Sequence, residues 1–389
     1  MGVSDETDQT PFPASRKPPE PAAFGSLFQV YETRRDGERL LYIGEPVASG
    51  ERLETELWSL FRSHGYEIRI QRGYQFDSGL PISRGEYVLV AEPRSVGTDG
   101  IPRTNLILFF LTVLSTLFAG AVFWYQIPLT EQPWRIVEAW PFTLAILGVL
   151  GVHELGHYVL SRYHNVQASL PYFIPVPTYI GSLGAVIKME GRIPDRKALF
   201  DIGVAGPLAG LVATVIVTVI GLQLEPLAAQ QAVGAEDEAI VIFNHPPMLE
   251  LIAEATGSSD QLEDGVVHPV VFGGWVGMLV TLLNMLPVGQ LDGGHILRAM
   301  VGEKQRGIAS LVPLALFGLA AYLFFGVDGA DSVVIWAMWG LFALGLAYAG
   351  PVKPVNDQPL DTPRMVLGVL TFVLAALCFT PIPIEIIEP

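Results

Sequence analysis

Long apolar runs fill most of the chain after residue 103 and are separated by short polar connections. A helix that crosses a bilayer needs roughly 20 predominantly apolar residues. Seven segments come close to that length, and they are 104–125, 138–162, 201–222, 268–287, 309–326, 332–349 and 364–381. The pattern predicts a multi-pass α-helical membrane protein with about seven spans, surrounded by a lipid bilayer.

The connection between the second and third predicted spans, residues 167–192, is itself apolar in its middle part. Three prolines and the glycines Gly181 and Gly184 interrupt any helix there. Non-helical backbone at membrane depth is tolerated only where it is buried in protein or lines a wet cavity. We therefore predict a membrane-embedded, non-helical hairpin over 167–192.

The chain before the first span has a different pattern. Residues 1–23 are polar and rich in proline, which is typical of a disordered tail. Residues 24–95 alternate in the manner of strands around one amphipathic helix, Glu51–Ser63, and predict a small α+β domain. Its predicted strands are Phe24–Thr33, Glu38–Gly44, Tyr66–Arg72 and Glu86–Ala91.

Composition agrees with the membrane assignment and limits the partners. Half of the 389 residues are hydrophobic and the mean hydropathy is +0.42, which is rarely so high in a soluble protein of this size. A net charge of −16 argues against nucleic acid as a partner. The single cysteine, Cys378, allows neither an internal disulfide nor a thiolate metal cluster.

Lysine and arginine in the connections predict the orientation, because basic loops stay in the cytoplasm. The connections after the second, fourth and sixth spans are basic, whereas residues 223–267 contain no lysine or arginine and are acidic. This alternation predicts a protein of the cell membrane with a cytoplasmic N-terminal domain, an external acidic loop at 223–267 and an external C-terminus.

The second span carries the sequence Gly151–Val152–His153–Glu154–Leu155–Gly156–His157. Histidines four positions apart share one face of a helix, so both imidazoles can reach one metal ion. Glu154 then lies beside the open position of the metal, where a carboxylate can accept a proton from water. A cluster of helix-end histidines at the membrane interface is the alternative, but charged groups inside an apolar span are costly and usually functional.

A site with two histidines needs a third protein ligand. The carboxylates near membrane depth are Asp201, Glu190 and Asp292. We favour Asp292, because Pro287 and nearby glycines place it on unwound backbone at the same predicted side of the membrane as His157. A helix-cap or turn role remains the alternative for Asp292.

Taken together, His-Glu-Leu-Gly-His in one span and Asn284-x-x-Pro-x-x-x-Leu-Asp292-Gly in a later one resemble the site-2 protease family of intramembrane zinc metalloproteases. The segments 171–175, 181–184 and 201–210 resemble the branch found in archaea, cyanobacteria and plastids. The resemblance covers residues 104–300, which would form the metalloprotease core, whereas 301–389 match only in being apolar.

The resemblance implies one Zn²⁺ ion, held by His153, His157 and Asp292, with Glu154 as catalytic base. It implies that Asn284 helps to hold the substrate or the transition state. The embedded hairpin would present an extended edge to the substrate, which makes Gly181, Ser182 and Gly184 candidate substrate contacts.

The expected function is cleavage of transmembrane segments of membrane-anchored proteins. A transporter with a histidine site, or a catalytically silent binder of membrane proteins, is the alternative from another class. His295 could support the site or be a spare ligand, although a polar residue at a helix start is the simpler interpretation. Gly203, Gly206 and Gly210 predict close helix packing. The substrate, the cut site and the oligomeric state are not predicted.

Overall fold

The computed structural model describes residues 17–48, 50–72, 86–93, 102–190, 192–226, 240–263, 267–327 and 332–387. The chain divides into two compact units, Met1–Thr98 and Asp99–Pro389. The predicted tail falls largely in residues 1–16, which lie outside the described residues.

The first unit is a four-stranded antiparallel sheet with one helix. Its elements are β1 (Phe28–Asp36), β2 (Arg39–Pro46), α1 (Gly50–Ser63), β3 (Tyr66–Arg72) and β4 (Tyr87–Pro93), and the strand order is β1-β2-β4-β3. The first strand begins at Phe28 rather than at Phe24. Phe24 instead follows a 3₁₀ turn and packs its ring edge-on against Tyr42 and Phe61 in the buried core.

The second unit is built mainly of helices. They are α2 (Arg103–Ala119, continued by a π-helical turn at Gly120–Trp124), α3 (Trp140–Tyr163), α4 (Arg196–Gln223), α5 (Pro247–Thr256), α6 (Ser259–Glu263), α7 (Pro269–Asn284), α8 (Asp292–Val301), α9 (Gln305–Ala309), α10 (Leu311–Gly326), α11 (Ser332–Ala349) and α12 (Thr362–Ala376). Each predicted span coincides with one of these helices.

Four helical stretches in the described residues are long and apolar enough to cross a membrane, by length and composition alone: 103–124, 133–163, 196–223 and 332–349. A fifth is counted if the pair Asp292–Ala309 and Leu311–Gly326, bent by 49°, is one span. Helices α7 and α12 are apolar but shorter. The coarse assignment to a helical membrane protein therefore holds, while the number seven stays a prediction.

Helix α4 is the centre of this unit and packs against α3, α7 and α8. Its contact with α3 is especially close, because Gly156 of α3 lies directly on the α4 backbone. A Cβ atom added at Gly156 would lie 2.5 Å from the carbonyl oxygen of Ala205. Small residues at such a crossing allow two apolar helices to approach through their backbones.

The connection between α3 and α4 forms two small antiparallel sheets. Strand β5 (Gln167–Ala168) pairs with β8 (Met189–Glu190), and β6 (Tyr172–Pro175) pairs with β7 (Ser182–Val186). We call Tyr172–Val186 the β6–β7 hairpin. Its position at membrane depth stays a prediction.

The predicted acidic loop, 223–267, contains β9 (Ile240–Phe243), α5 and α6, and its residues 227–239 and 264–266 lie outside the described residues. Strand β9 pairs antiparallel with β10 (Ile384–Ile387) near the end of the chain. The two segments on either side of α7–α12 are therefore joined by backbone hydrogen bonds.

Candidate metal centre

Helix α3 brings the two motif histidines to one buried face. His153, Glu154 and His157 are each less than a tenth exposed to solvent. The spacing of four positions places both imidazoles on the side of α3 that packs against α4. The local sequence therefore accounts for two of the predicted ligands without any long-range contact.

Asp292 arrives from a distant part of the chain. Helix α7 ends at Asn284, and the residues that follow turn through Gly289, whose φ is +55°. Gly294 packs so tightly on this turn that an added Cβ would lie 2.5 Å from the Gly289 carbonyl oxygen. Asp292 is the first residue of α8 rather than part of the unwound segment, because α8 begins immediately after the turn.

The three predicted ligands converge on one point. His153 Nε2 lies 3.2 Å from Asp292 Oδ2, and His157 Nε2 lies 3.2 Å from Asp292 Oδ1. The two Nε2 atoms are themselves 3.2 Å apart. This is the one group of three or more histidine, cysteine or acidic side chains with metal-binding geometry among the described residues.

The chemistry of these atoms favours a cation between them. The Nδ1 atom of His157 lies 2.7 Å from the carbonyl oxygen of Ile202, which can only accept a hydrogen bond. A neutral His157 must therefore carry its proton on Nδ1 and leave Nε2 as a bare acceptor facing the Asp292 carboxylate. A tetrahedral Zn²⁺ ion with bonds of about 2.0–2.1 Å requires ligand atoms about 3.3–3.4 Å apart, close to the observed spacing.

The glycines of α4 form the wall behind the histidines. A Cβ atom at Gly206 would overlap the His157 ring, and a Cβ at Gly210 would lie 2.9 Å from His153 Nδ1. A Cβ at Gly203 would lie 3.1 Å from the Cβ of His295. The small-residue spacing predicted to serve helix packing therefore also makes room for the imidazoles.

Asn284 and Glu154 border the three ligands. The amide nitrogen of Asn284 lies 3.3 Å from His153 Nε2. The Glu154 carboxylate accepts a hydrogen bond from the backbone N–H of Ile187, the residue that follows β7. The β6–β7 hairpin therefore ends directly beside the predicted catalytic carboxylate.

The other carboxylates considered for the third ligand have different surroundings. Asp201 pairs with His164 at 2.9 Å and with Arg364 at 2.7 Å. The Glu190 side chain lies outside the described residues. His295 is buried, and no hydrogen-bond partner of its Nε2 is found among the described residues. It is not a member of the three-ligand group.

The candidate substrate contacts lie in the hairpin. Gly181 has a φ of +79° and packs on α2, where an added Cβ would lie 2.6 Å from the Cα of Thr116. The Ser182 hydroxyl donates to the Ile174 carbonyl and accepts from the N–H of Gly184. Gly184 has a φ of +109° with open space around it. Their contact with a substrate stays a prediction.

Comparison with known proteins agrees with this arrangement. Residues 141–323 match the model of peptidase family M50, and that interval contains all four predicted metal-site residues and Asn284. The chain belongs to peptidase family M50.

Related proteins extend the similarity beyond the metal centre. The chain is 34% identical over 307 residues to the probable zinc metalloprotease EGY1, chloroplastic, of Arabidopsis thaliana, covering 73% of this chain and 54% of that protein. It is 31% identical over 349 residues to EGY2, chloroplastic, of the same plant, covering 87% and 59%. The chain thus spans little more than half the length of these relatives of family M50.

Sequence reasoning missed several residues around the centre. The backbone groups of Ile187 and Ile202 leave no signal in the sequence, because any residue could supply them. Asn105 and Ser115, which contact the hairpin from α2, could have been noticed as polar side chains inside an apolar span.

Proposed function

We propose that this M50 protein is a zinc metalloendopeptidase that cleaves peptide bonds within the transmembrane segments of membrane-anchored proteins. The observation that carries the proposal is the convergence of His153, His157 and Asp292 at 3.2 Å spacing, with Glu154 adjacent on α3. When His157 is neutral, its Nε2 is an acceptor that faces the Asp292 carboxylate, and a cation between these atoms would relieve their repulsion.

His153, His157 and Asp292 would hold the ion, and the Nδ1–H of His157 is already oriented by Ile202. Bound Zn²⁺ would lower the pKa of a coordinated water and polarise the scissile carbonyl. Glu154 would accept a proton from the attacking water and deliver it to the leaving amine nitrogen. The amide of Asn284 would donate to an oxygen of the substrate, as its position 3.3 Å from His153 Nε2 allows.

The β6–β7 hairpin would present the substrate. A helical transmembrane segment hides its peptide bonds in its own hydrogen bonds and must unwind before it can be cut. Pairing of the unwound segment with a strand edge satisfies the freed backbone groups in a medium without water. Strand β7 is suited to this role because its end reaches Glu154 through Ile187 and because Leu183 is 71% exposed.

We infer that the protein lies in the cell membrane with its first unit in the cytoplasm and its C-terminus outside. The basic connections and the acidic 223–267 loop support this orientation. The named relatives are chloroplast proteins, and we do not transfer that location to this chain. Membrane-anchored proteins are the expected substrates.

The proposal is tested by incubating a tagged single-span substrate in detergent with the purified protein and, in parallel, with its Glu154→Gln variant. The substitution retains the shape and removes the base. We expect the cleavage rate to fall by about 10²–10⁴-fold, the typical contribution of a general base, while one zinc per chain remains bound.

Rate and zinc content together separate the alternatives. Equal cleavage by the parent and by Glu154→Gln would reject the mechanism and point to a contaminating protease. Zinc binding without cleavage of any single-span substrate would favour a silent binder, and metal flux in proteoliposomes would favour a transporter.

A further inference from the structure

Helix α2 is bonded to the β6–β7 hairpin and its entry segment at three levels along its length. At its first turn, the Asn105 amide donates to the carbonyl oxygens of Leu170 at 2.8 Å and Pro171 at 3.0 Å. One turn further on, the ring of Phe109 packs edge-on against Phe173 of β6 at a centroid distance of 5.3 Å.

The middle of α2 holds the turn of the hairpin. The Ser115 hydroxyl donates to the Gly181 carbonyl at 2.6 Å, whereas its alternative acceptor within the helix, the Thr112 carbonyl, is 3.1 Å away. Gly181 also lies so close to the α2 backbone that a Cβ atom would be 2.7 Å from the Ser115 carbonyl oxygen. A side chain at position 181 would therefore push the hairpin away from α2.

The end of α2 holds the tip of the hairpin. The indole N–H of Trp124 donates to the Tyr179 carbonyl at 2.9 Å, and the neighbouring Phe123 ring lies 4.5 Å from the Tyr179 ring. Trp124 is itself fixed by stacking on Phe272 of α7 at a centroid distance of 3.9 Å. The tip of the hairpin is thereby connected to the helical core through one side chain.

These bonds all end on backbone carbonyl oxygens of the irregular segment, and the Gly181 carbonyl also accepts from the Val176 N–H at 3.3 Å. An unpaired carbonyl in an apolar medium costs several kcal/mol, so the donors of α2 favour one placement of the irregular segment. The far end of the same segment donates from Ile187 to the Glu154 carboxylate. The hairpin is therefore fixed by α2 on one side and ends at Glu154 on the other.

We propose that Asn105, Ser115 and Trp124 are positioning residues, which set the register in which the hairpin presents a substrate to Glu154. This proposal rests on the proposed protease function. It assigns to the first apolar helix a task in the reaction, although none of its residues belongs to the metal centre.

The first experiment measures where the substrate is cut. We expect the double variant Asn105→Ala/Ser115→Ala to spread the cut from one peptide bond over neighbouring bonds, as read by mass spectrometry of the products. A displacement of about 1 Å can cost about 10²-fold in rate, so kcat/KM should fall by about 10–100-fold with zinc content unchanged. Trp124→Phe, which keeps an aromatic ring and removes the N–H donor, should have a smaller effect in the same direction.

Matched controls distinguish positioning from general destabilisation. Thr112→Val removes a hydroxyl of the same helix that donates only to the Leu108 carbonyl one turn earlier, so it should leave the cut position unchanged. Ser115→Thr, made with Asn105 unchanged, retains the hydroxyl donor and should give the single cut of the parent. A spread of cut positions in Thr112→Val as well would overturn the proposal.

The second experiment does not depend on proteolysis. Spin labels at Leu183→Cys on β7 and Val159→Cys on α3, both exposed positions, report the distance between the hairpin and the catalytic helix in a Cys378→Ala background. We expect one narrow distance in the parent, a broad distribution in Asn105→Ala/Ser115→Ala and a narrow one in Thr112→Val.

The cut position and the spin-label distance test different parts of the proposal. An unchanged narrow distance in the double variant would overturn the role of α2 even if cleavage were lost. A broadened distance with a single unchanged cut would overturn the claim about register. If the parent cuts no substrate, the proposed function fails, and the distance measurement still decides whether α2 holds the hairpin.

Discussion

Two groups of ionisable side chains in the helical unit are built in opposite ways. In the metal centre, the Nε2 atoms of two histidines and the oxygens of one carboxylate lie 3.2 Å apart, and a neutral His157 turns an acceptor toward that carboxylate. In the second group, which we call the arginine cluster, Asp357 accepts from Arg196 at 2.7 Å and from Arg298 at 2.9 Å. Arg298 also pairs with Glu303 at 3.2 Å.

The difference shows which charges are balanced by other charges of the same chain. In the arginine cluster, the carboxylates of Asp357 and Glu303 balance the charge of Arg298, which is only 3% exposed in its side chain and whose buried Nε has no hydrogen-bond partner among the described residues. With both histidines neutral, as metal binding requires, the metal centre has no such internal balance and carries the charge of Asp292. A buried carboxylate that faces neutral imidazoles favours a bound cation, whereas one that is paired with arginines serves stability.

The largest predicted effect is a loss of bound zinc, which we expect from a change in the metal centre and not from a change in the arginine cluster. Asp292→Asn removes the negative charge that faces both histidines, so zinc affinity should fall by more than the 10–100-fold that loss of an outer-shell partner costs. Zinc per chain, measured by elemental analysis after dialysis, should approach zero, and cleavage should be lost with it. Asp357→Asn is the matched control and should retain its zinc; loss of zinc in both variants would contradict the distinction.

A smaller effect is expected from the wall of the metal centre. Gly206→Ala places a Cβ atom where the His157 ring lies, so the imidazole must move from its bond with Ile202. We expect zinc affinity about 10–100-fold weaker, as for loss of a supporting hydrogen bond, measured by competition with a chelator.

Gly148→Ala on α3 is the control for that change, because a Cβ atom there meets nothing within 4 Å. It should leave zinc affinity unchanged and favour the helix by up to about 1 kcal/mol. Equal zinc affinity in Gly206→Ala and Gly148→Ala would show that the glycine wall does not position His157.

The smallest predicted effect concerns stability alone. Asp357→Asn leaves the buried Arg298 with the exposed Glu303 as its remaining acidic partner. The free energy of unfolding should fall by about 1.5–3 kcal/mol, which lowers the melting temperature by a few degrees in detergent.

The same carboxylate gives the stability a pH dependence. The Arg196 hydrogen bond, followed by that of Arg298, lowers the pKa of Asp357 to about 2. Because the folded pKa lies below the usual 3.8, this stabilisation is present above pH 3.8 and is lost as pH falls toward 2. A parent and variant with the same melting curves from pH 7 to pH 2 would refute this role.

Several features of the protein could be predicted because they are local. The four-position spacing of His153 and His157 determines a shared helix face whatever surrounds it. The alternation over 24–95 indicated the strands and the helix of the first unit to within a few residues. Prolines and glycines after Asn284 indicated the break that separates α7 from Asp292. The lengths of α7 and α12 were overestimated, because apolar residues continue past the point where each helix ends.

The amino-acid sequence alone determined which side chains could bind a metal and which segments are apolar enough for a bilayer, since residue type and spacing decide both. The sequence favoured Asp292 as the third ligand, but only the tertiary structure decided that Asp292 meets the histidines while Asp201 pairs with Arg364 and His164. It also decided which groups contact Ile187, Ile202 and α2. Backbone groups are the same at every position, so only the packing of distant segments determines which of them reaches the metal centre.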